Sequence, residues 1–161
     1  MKPTRLIGLA VAMSVVATLS FAQSDPIQIV KKRQEDMKSF SSTYMRGIFE
    51  LRKDGTGDLG NIAIKAREAS DAFKTIPSLF PAGTDRAAFQ ETRASPEIWS
   101  KRAEFETYVA KLVAETTKLA DLAASGKRED ARAQSSVVIE ACFSCHGGPS
   151  KSGGKFRFEA S

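Results

Sequence analysis

The only two cysteines and the only histidine of this 161-residue chain lie together near its C-terminus. Cys142, Cys145 and His146 occupy positions i, i+3 and i+4, which share one face of a helix. Their spacing is the C-x-x-C-H pattern of covalent haem attachment. Two thiols can bond to the two vinyl groups on one porphyrin edge, and an imidazole can ligate the iron. The motif therefore predicts one haem c held through Cys142 and Cys145, with His146 as an axial ligand of the iron.

Other chemistries for two neighbouring cysteines fit this sequence less well. A structural zinc site requires about four ligands, and the chain has no further Cys or His. A thioredoxin-like redox pair belongs near a βαβ pattern, whereas no segment here shows the alternation of a strand. A disulfide, or two buried free thiols, would leave the adjacent histidine without a role.

Four amphipathic segments must position this motif, since apolar residues recur at helical spacing over most of the chain. The pattern predicts helices over about 25–53, 59–76, 96–125 and 127–146, the first and third of them starting at a polar cap followed by proline. A loop with turn residues fills 77–95. The predicted inner face of the first helix comprises Ile27, Val30, Gln34, Met37, Ser41, Tyr44, Ile48 and Leu51. Repeats of this kind predict an all-α fold, an antiparallel four-helix bundle with haem c attached to its last helix.

The N-terminus predicts export of the chain. Residues 1–22 contain two basic residues, then an apolar run shorter than a membrane span, then small residues at a cleavage site after Ala22. This is the pattern of a cleaved signal peptide, and it indicates a periplasmic protein whose mature form is not inserted in a membrane. The expected division is a signal peptide at 1–22, the bundle at 23–148, and a flexible tail at 149–161.

Net charge excludes one class of partner. Cleavage after Ala22 removes two basic residues and no acid, which leaves 22 basic and 19 acidic side chains and a net charge of +3. Without a basic stripe interleaved with aromatics, this charge does not indicate nucleic-acid binding. It supports only a weak preference for acidic surfaces on partner proteins.

Several segments resemble one known family. The haem motif in the last of four helices, the run Arg33-Gln34-Glu35-Asp36-Met37-Lys38, and the segments Leu79-Phe80-Pro81 and Ser95-Pro96-Glu97-Ile98-Trp99 are similar to class II c-type cytochromes, the cytochrome c-prime family. The resemblance extends from residue 25 to about 148. It implies the same bundle, and a homodimer contact through the first two helices, although no exposed apolar stripe marks such a contact here.

The resemblance also implies roles for two residues of the first helix. Met37 corresponds to the family residue that faces the distal side of the haem, where it would be a second iron ligand or, alternatively, flexible core packing. Met45 is predicted to fall off this face. Arg33, one turn before Met37, corresponds to an arginine that pairs with a haem propionate; the alternative is a solvated charge. Phe80 and Trp99 are expected on the porphyrin edge or in the ordinary core.

The last helix departs from the family pattern directly after the haem motif. Family members continue this helix into an aromatic and a basic residue close to the haem, whereas Gly147, Gly148 and Pro149 break it here. The basic residue of the proximal haem face is therefore left open, with Lys151 and Arg157 as the candidates.

The sixth iron ligand decides between the predicted functions. The main prediction is that Met37 is the second axial ligand and that the protein carries electrons between soluble or membrane-bound redox partners. The alternative is an iron with this position open, which would bind nitric oxide or carbon monoxide. Peroxidase chemistry needs a distal acid or base, usually His or Arg. Since the chain has no second histidine, the sequence predicts that the protein is not an enzyme.

Overall fold

The computed structural model describes residues 25–148 and 154–157, which form a four-helix bundle. Its helices are α1 (Pro26–Ser39), α2 (Met45–Asp54), α3 (Leu59–Phe73), α4 (Glu97–Ser100), α5 (Arg102–Ala124) and α6 (Arg128–His146). A π-helical turn, Phe40–Tyr44, joins α1 to α2. The four predicted bundle helices correspond to α1 with α2, α3, α4 with α5, and α6, so the predicted fold class is confirmed.

Local sequence accounts for most helix boundaries. The Asp25 side chain accepts a hydrogen bond from the Ile27 amide (3.1 Å), and Pro26 occupies the first helical turn. The Asp58 side chain caps α3 in the same way, through the Asn61 amide (2.6 Å). Gly55 and Gly126 have φ angles of +68° and +71°, a left-handed conformation that suits glycine. These starts and stops agree with the predicted ones.

The second bundle helix ends earlier than predicted. α3 stops at Phe73, and Ile76–Leu79 forms a separate 3₁₀ turn that contains Pro77. A proline nitrogen has no hydrogen to donate, and its ring would clash with the carbonyl of Phe73, four residues earlier. The helix therefore has to end one turn before the proline.

The first and third bundle helices are interrupted, which the sequence did not predict. The π turn interrupts the first, and Lys101 (φ −121°, ψ 46°) separates α4 from α5 in the third. Just after this break, the Arg102 guanidinium donates to the carbonyls of Pro77 (2.8 Å) and Phe80 (3.1 Å). The interruption thus lies where the third helix is bonded to the loop that precedes it.

The core lies along the seam between the helices, and α3, α5 and α6 contribute most of it. Its fully or nearly fully buried side chains include Ile48, Leu51, Ile62, Ala66, Phe73, Ile98, Phe105, Leu119, Val138 and Ile139. The apolar residues that recur at helical spacing in α3 and α5 face this core. Within the described residues, no helix has the length and hydropathy needed to cross a membrane.

The chain beyond the last helix returns to the bundle. Residues 154–157 form a turn, here called the C-terminal strap, which pairs with the loop before α4 through a bridge between Ala94 and Arg157. Phe156 is only 4% exposed. Burial of this aromatic ring anchors these four residues, which belong to the segment 149–161 that the sequence predicts as a flexible tail. The signal peptide at 1–22 lies outside the described residues, as does Lys151.

Candidate functional site

α6 presents the predicted haem motif to a cavity of about 850 Å³. Cys142, Cys145 and His146 all line this cavity, as expected for residues on one helical face. Its volume lies within the range of about 300–1,000 Å³ that is usual for cofactor pockets. The rest of the wall is mostly apolar and includes Met37, Phe40, Met45, Phe73, Phe80, Phe105, Val109 and Leu112.

The two thiols are free and partly buried in this wall. Burial, with a smaller contribution from Cys145, raises the pKa of Cys142 to about 11, and burial also raises the pKa of Cys145. Both sulfurs are therefore neutral near pH 7. Two neutral sulfurs at one edge of an apolar cavity fit the two thioether bonds that haem c requires.

His146 is the last residue of α6 and has accessible surface in the cavity wall. The surrounding protein still removes much of its hydration, and this burial lowers its pKa, with smaller contributions from the positive charges of Arg157 and Arg93. A lowered pKa favours the neutral imidazole, which is the form that binds a metal.

Arg33 is buried in the same wall, with only 3% of its surface exposed. One terminal nitrogen donates to the Leu79 carbonyl and the Thr84 hydroxyl, and the other to the Thr84 carbonyl and the Thr92 hydroxyl, at 2.8–3.3 Å. The guanidinium also lies 4.5 Å from the centre of the Phe80 ring. Burial lowers the pKa of Arg33 to about 10. The alternative of a solvated charge is therefore wrong.

Two methionines lie in the cavity wall where the sequence predicted one. Met37 is half-buried and packs against the core, and Met45 is 5% exposed. The prediction that Met45 points away is wrong, because the π turn between the two residues rotates α2 relative to α1. Gln34 and Ser41, which the sequence also predicted on the inner face, have exposed surface and line the cavity.

Two aromatic residues, Phe80 of the mid-chain loop and Trp99 of α4, differ in their position relative to the cavity. Phe80 lines the cavity and packs edge-on against Phe105, with ring centres 5.3 Å apart. Trp99 packs edge-on against Phe80 at 6.0 Å and donates its indole N–H to the Pro81 carbonyl (2.9 Å). Of the two, Phe80 is the one placed to contact a porphyrin.

Sequence reasoning missed two parts of the site. Thr84 and Thr92, which bind Arg33, lie in a loop without periodicity, and their pairing with α1 has no signal in the sequence. Phe156 also lines the cavity, although it follows the break at Gly147. Arg157 beside it, one of the two candidates that the sequence offered for the basic residue of the proximal face, lines the cavity as well. The intervening glycines concealed where Phe156 would pack.

A helical bundle with a C-x-x-C-H motif facing a cavity from its last helix defines a class II c-type cytochrome. The sequence model of the Cytochrome C' family matches residues 28–148, three quarters of the chain, and the chain belongs to this family. The family cofactor is a covalently bound haem c, and the thiols, imidazole and apolar walls described above fit it.

Individual relatives agree with this assignment. A cytochrome c' of Rhodopseudomonas palustris is 27% identical over 145 residues, which cover 88% of this chain and 92% of the relative. A ferrous variant of cytochrome c prime from Alcaligenes xylosoxidans with bound NO is 25% identical, with a TM-score of 0.66 over 76% of this chain and 93% of the other. A nitric oxide complex of another variant from that organism, at 23% identity, has the same fold, with a TM-score of 0.70 over 85% and 98% of the two chains.

Proposed function

We propose that this protein binds nitric oxide or carbon monoxide at a haem iron whose one protein ligand is His146. Cys142 and Cys145 hold the haem on α6 through thioether bonds. When bound, the haem supplies an iron with an open position for an uncharged diatomic ligand. The bundle excludes water from that position and fixes the imidazole.

The observation that carries this proposal is the apolar wall opposite the haem-bearing helix. Met37, Phe40, Met45 and Phe73 contribute to it, and the only histidine of the chain lies on α6. The packing of Met37 against the core supports a role as wall rather than as ligand. A mostly apolar wall favours small uncharged ligands over charged ones.

A solved structure of a relative also supports gas binding. The Alcaligenes variant at 25% identity is a ferrous form with bound NO. Its similarity covers most of both chains, and all residues that line the cavity except Phe156 and Arg157 lie inside the matched region 28–148. Gas binding by this chain therefore has support both from its own cavity and from a protein of the same family.

Arg33 is proposed to contribute a charge to the haem site. Its four hydrogen bonds all go to neutral oxygens, of Leu79, Thr84 and Thr92. A haem propionate would bring an opposite charge to this buried cation. Since those four bonds occupy both terminal nitrogens, the pairing would be mainly electrostatic.

A second candidate function is electron transfer with His146 and Met37 as axial ligands. The position of Met37 in the cavity wall favours it. In that case the protein would exchange electrons with soluble or membrane-bound partners. The apolar wall also contains Met45, so a ligation test has to separate the two methionines.

We also propose that the protein is not an enzyme and that it functions in the periplasm. The chain has no second histidine, and Arg33, one of the arginines that line the cavity, has its terminal nitrogens bonded to the mid-chain loop, which leaves it poorly suited as a distal acid for peroxide chemistry. The N-terminal pattern of residues 1–22 supports export.

Visible spectra of the purified haem protein test the gas-binding proposal. We expect a high-spin ferric spectrum, and binding of carbon monoxide by the reduced protein at a rate that Met37→Leu changes less than about tenfold, since no iron–sulfur bond has to break first. Met45→Leu is the matched control, because it changes the neighbouring methionine of the same wall. A low-spin ferric spectrum with a sulfur-to-iron charge-transfer band that only Met37→Leu abolishes would overturn the proposal in favour of electron transfer.

A further inference from the structure

The C-terminal strap is a tight turn held to two elements of the site. Within it, the Gly154 amide donates to the Arg157 carbonyl (2.9 Å), and the Arg157 amide donates to the Gly154 carbonyl (3.3 Å). The Ser95 amide donates to the Phe156 carbonyl (3.2 Å), which joins the turn to the start of the third bundle helix. Residues 154–157 are thus a defined structural element.

The strap also binds the haem-bearing helix at its last turn. The Phe156 amide donates to the Cys145 carbonyl (3.2 Å), a group that the end of α6 leaves without a helical donor. Gly154 packs so closely that a Cβ at this position would overlap the backbone of His146 and Gly147. Glycine is therefore required at 154 for the strap to lie against α6.

Phe156 fills the space between this turn and α5. Its ring packs edge-on against Phe105 and Tyr108, with both pairs of ring centres 5.3 Å apart. Phe156 and Arg157 line the same cavity as His146. An apolar ring and a cation therefore lie beside the predicted iron ligand.

We propose that the strap is the proximal wall of the haem site: Phe156 and Gly154 are positioning residues that fix the end of α6 and keep water from the His146 side of the iron. The break at Gly147, where φ is +81°, ends the helix and allows a later segment to cover the site. In this chain, the covering residues thus come from the C-terminal strap rather than from a continued helix.

This wall has a measurable effect on the haem. Water beside an iron centre stabilises the ferric state, which carries one more positive charge than the ferrous state. Removal of the Phe156 ring releases the strap and admits water, so it should lower the reduction potential. This effect does not require a gas ligand, so its test is independent of the test of gas binding.

The experiment is a redox titration of the purified haem protein, followed by visible absorbance. We expect Phe156→Ala to shift the ferric/ferrous equilibrium toward ferric by at least about threefold, because the variant exposes the site to solvent. Gly154→Ala should shift it in the same direction, and Phe156→Leu should restore most of the parent value. Circular dichroism and covalent haem content verify that each variant folds.

Lys155→Ala is the matched control within the same turn. Lys155 forms an ion pair with Glu104 at the surface, and its loss should change the equilibrium less than about twofold because exposed charges are screened. Equal potentials for Phe156→Ala and Lys155→Ala would overturn the proposal. A chain that ends at Gly148 lacks the strap and provides the same comparison if Phe156→Ala does not fold.

Discussion

Arg33 illustrates how one residue can link a helix to a loop that carries no periodic signal. Four hydrogen bonds connect its guanidinium to Leu79, Thr84 and Thr92, so α1 and the mid-chain loop form one wall of the cavity. Hydrogen bonds to a charged group are stronger than neutral ones, and a buried acceptor that loses its donor is costly. Arg33 thus supports the cavity in addition to any contact with the cofactor.

Replacement of Arg33 should reveal this structural role. We expect Arg33→Leu to lower the free energy of unfolding by about 2–4 kcal/mol, because buried loop oxygens lose their donors. Urea denaturation of the haem protein measures the change. The control is Lys32→Ala, which removes an exposed ion pair with Asp36 and should cost less than about 1 kcal/mol. Similar losses in the two variants would contradict the role assigned to Arg33.

The π-helical turn is the element that most changes the site relative to a regular helix. Phe40 in this turn packs edge-on against Phe73 of α3, with ring centres 5.3 Å apart. Met45, directly after the turn, is buried together with Ile48 and Leu51. The extra residue in the turn therefore lets both α1 and α2 present their apolar faces to the same core.

Deletion of Ser42 tests this function of the turn. Ser42 is exposed, and its hydroxyl bonds only to carbonyls of the preceding turn, Lys38 and Ser39, in the described structure. A regular α-helix after deletion would rotate Met45 away from the core, and we expect a loss of about 2–4 kcal/mol on thermal unfolding. Ser42→Ala keeps the chain length and should change stability by less than about 0.5 kcal/mol. If the deletion is as mild as the alanine variant, the extra residue has no such role.

At the scale of the whole molecule, one helical bundle contains both the buried core and the site of the covalently bound cofactor. Residues 1–22 precede the described part of the chain, and their pattern predicts a signal peptide that is cleaved from the mature protein. The homodimer contact that the family resemblance implies also stays a prediction. Ile64 of α3, a large hydrophobic side chain that is 58% exposed, is the position at which to probe it.

Mass spectrometry of the exported protein tests the predicted processing and attachment together. In a host that matures c-type cytochromes, we expect a denatured chain that starts at Gln23 and carries the added mass of one haem, because thioether bonds survive unfolding. Cys142→Ala with Cys145→Ala should give the same N-terminus without that mass. A mature chain that retains residues 1–22 would contradict the signal peptide, and an unmodified mass would contradict attachment.

The sequence alone determined the features that depend on local rules. The haem motif, the cap at Asp25, the glycine stops and the helical periodicity all act over a few neighbouring residues, and they sufficed for the bundle and its cofactor. Only the tertiary structure decided which side chains share the cavity. Met45 enters through the π turn, Arg33 through bonds to residues about 50 positions away, and Phe156 through a turn beyond the last helix. These positions depend on contacts between segments that are far apart in the sequence. Such contacts leave no repeating pattern of residue types from which they could be predicted.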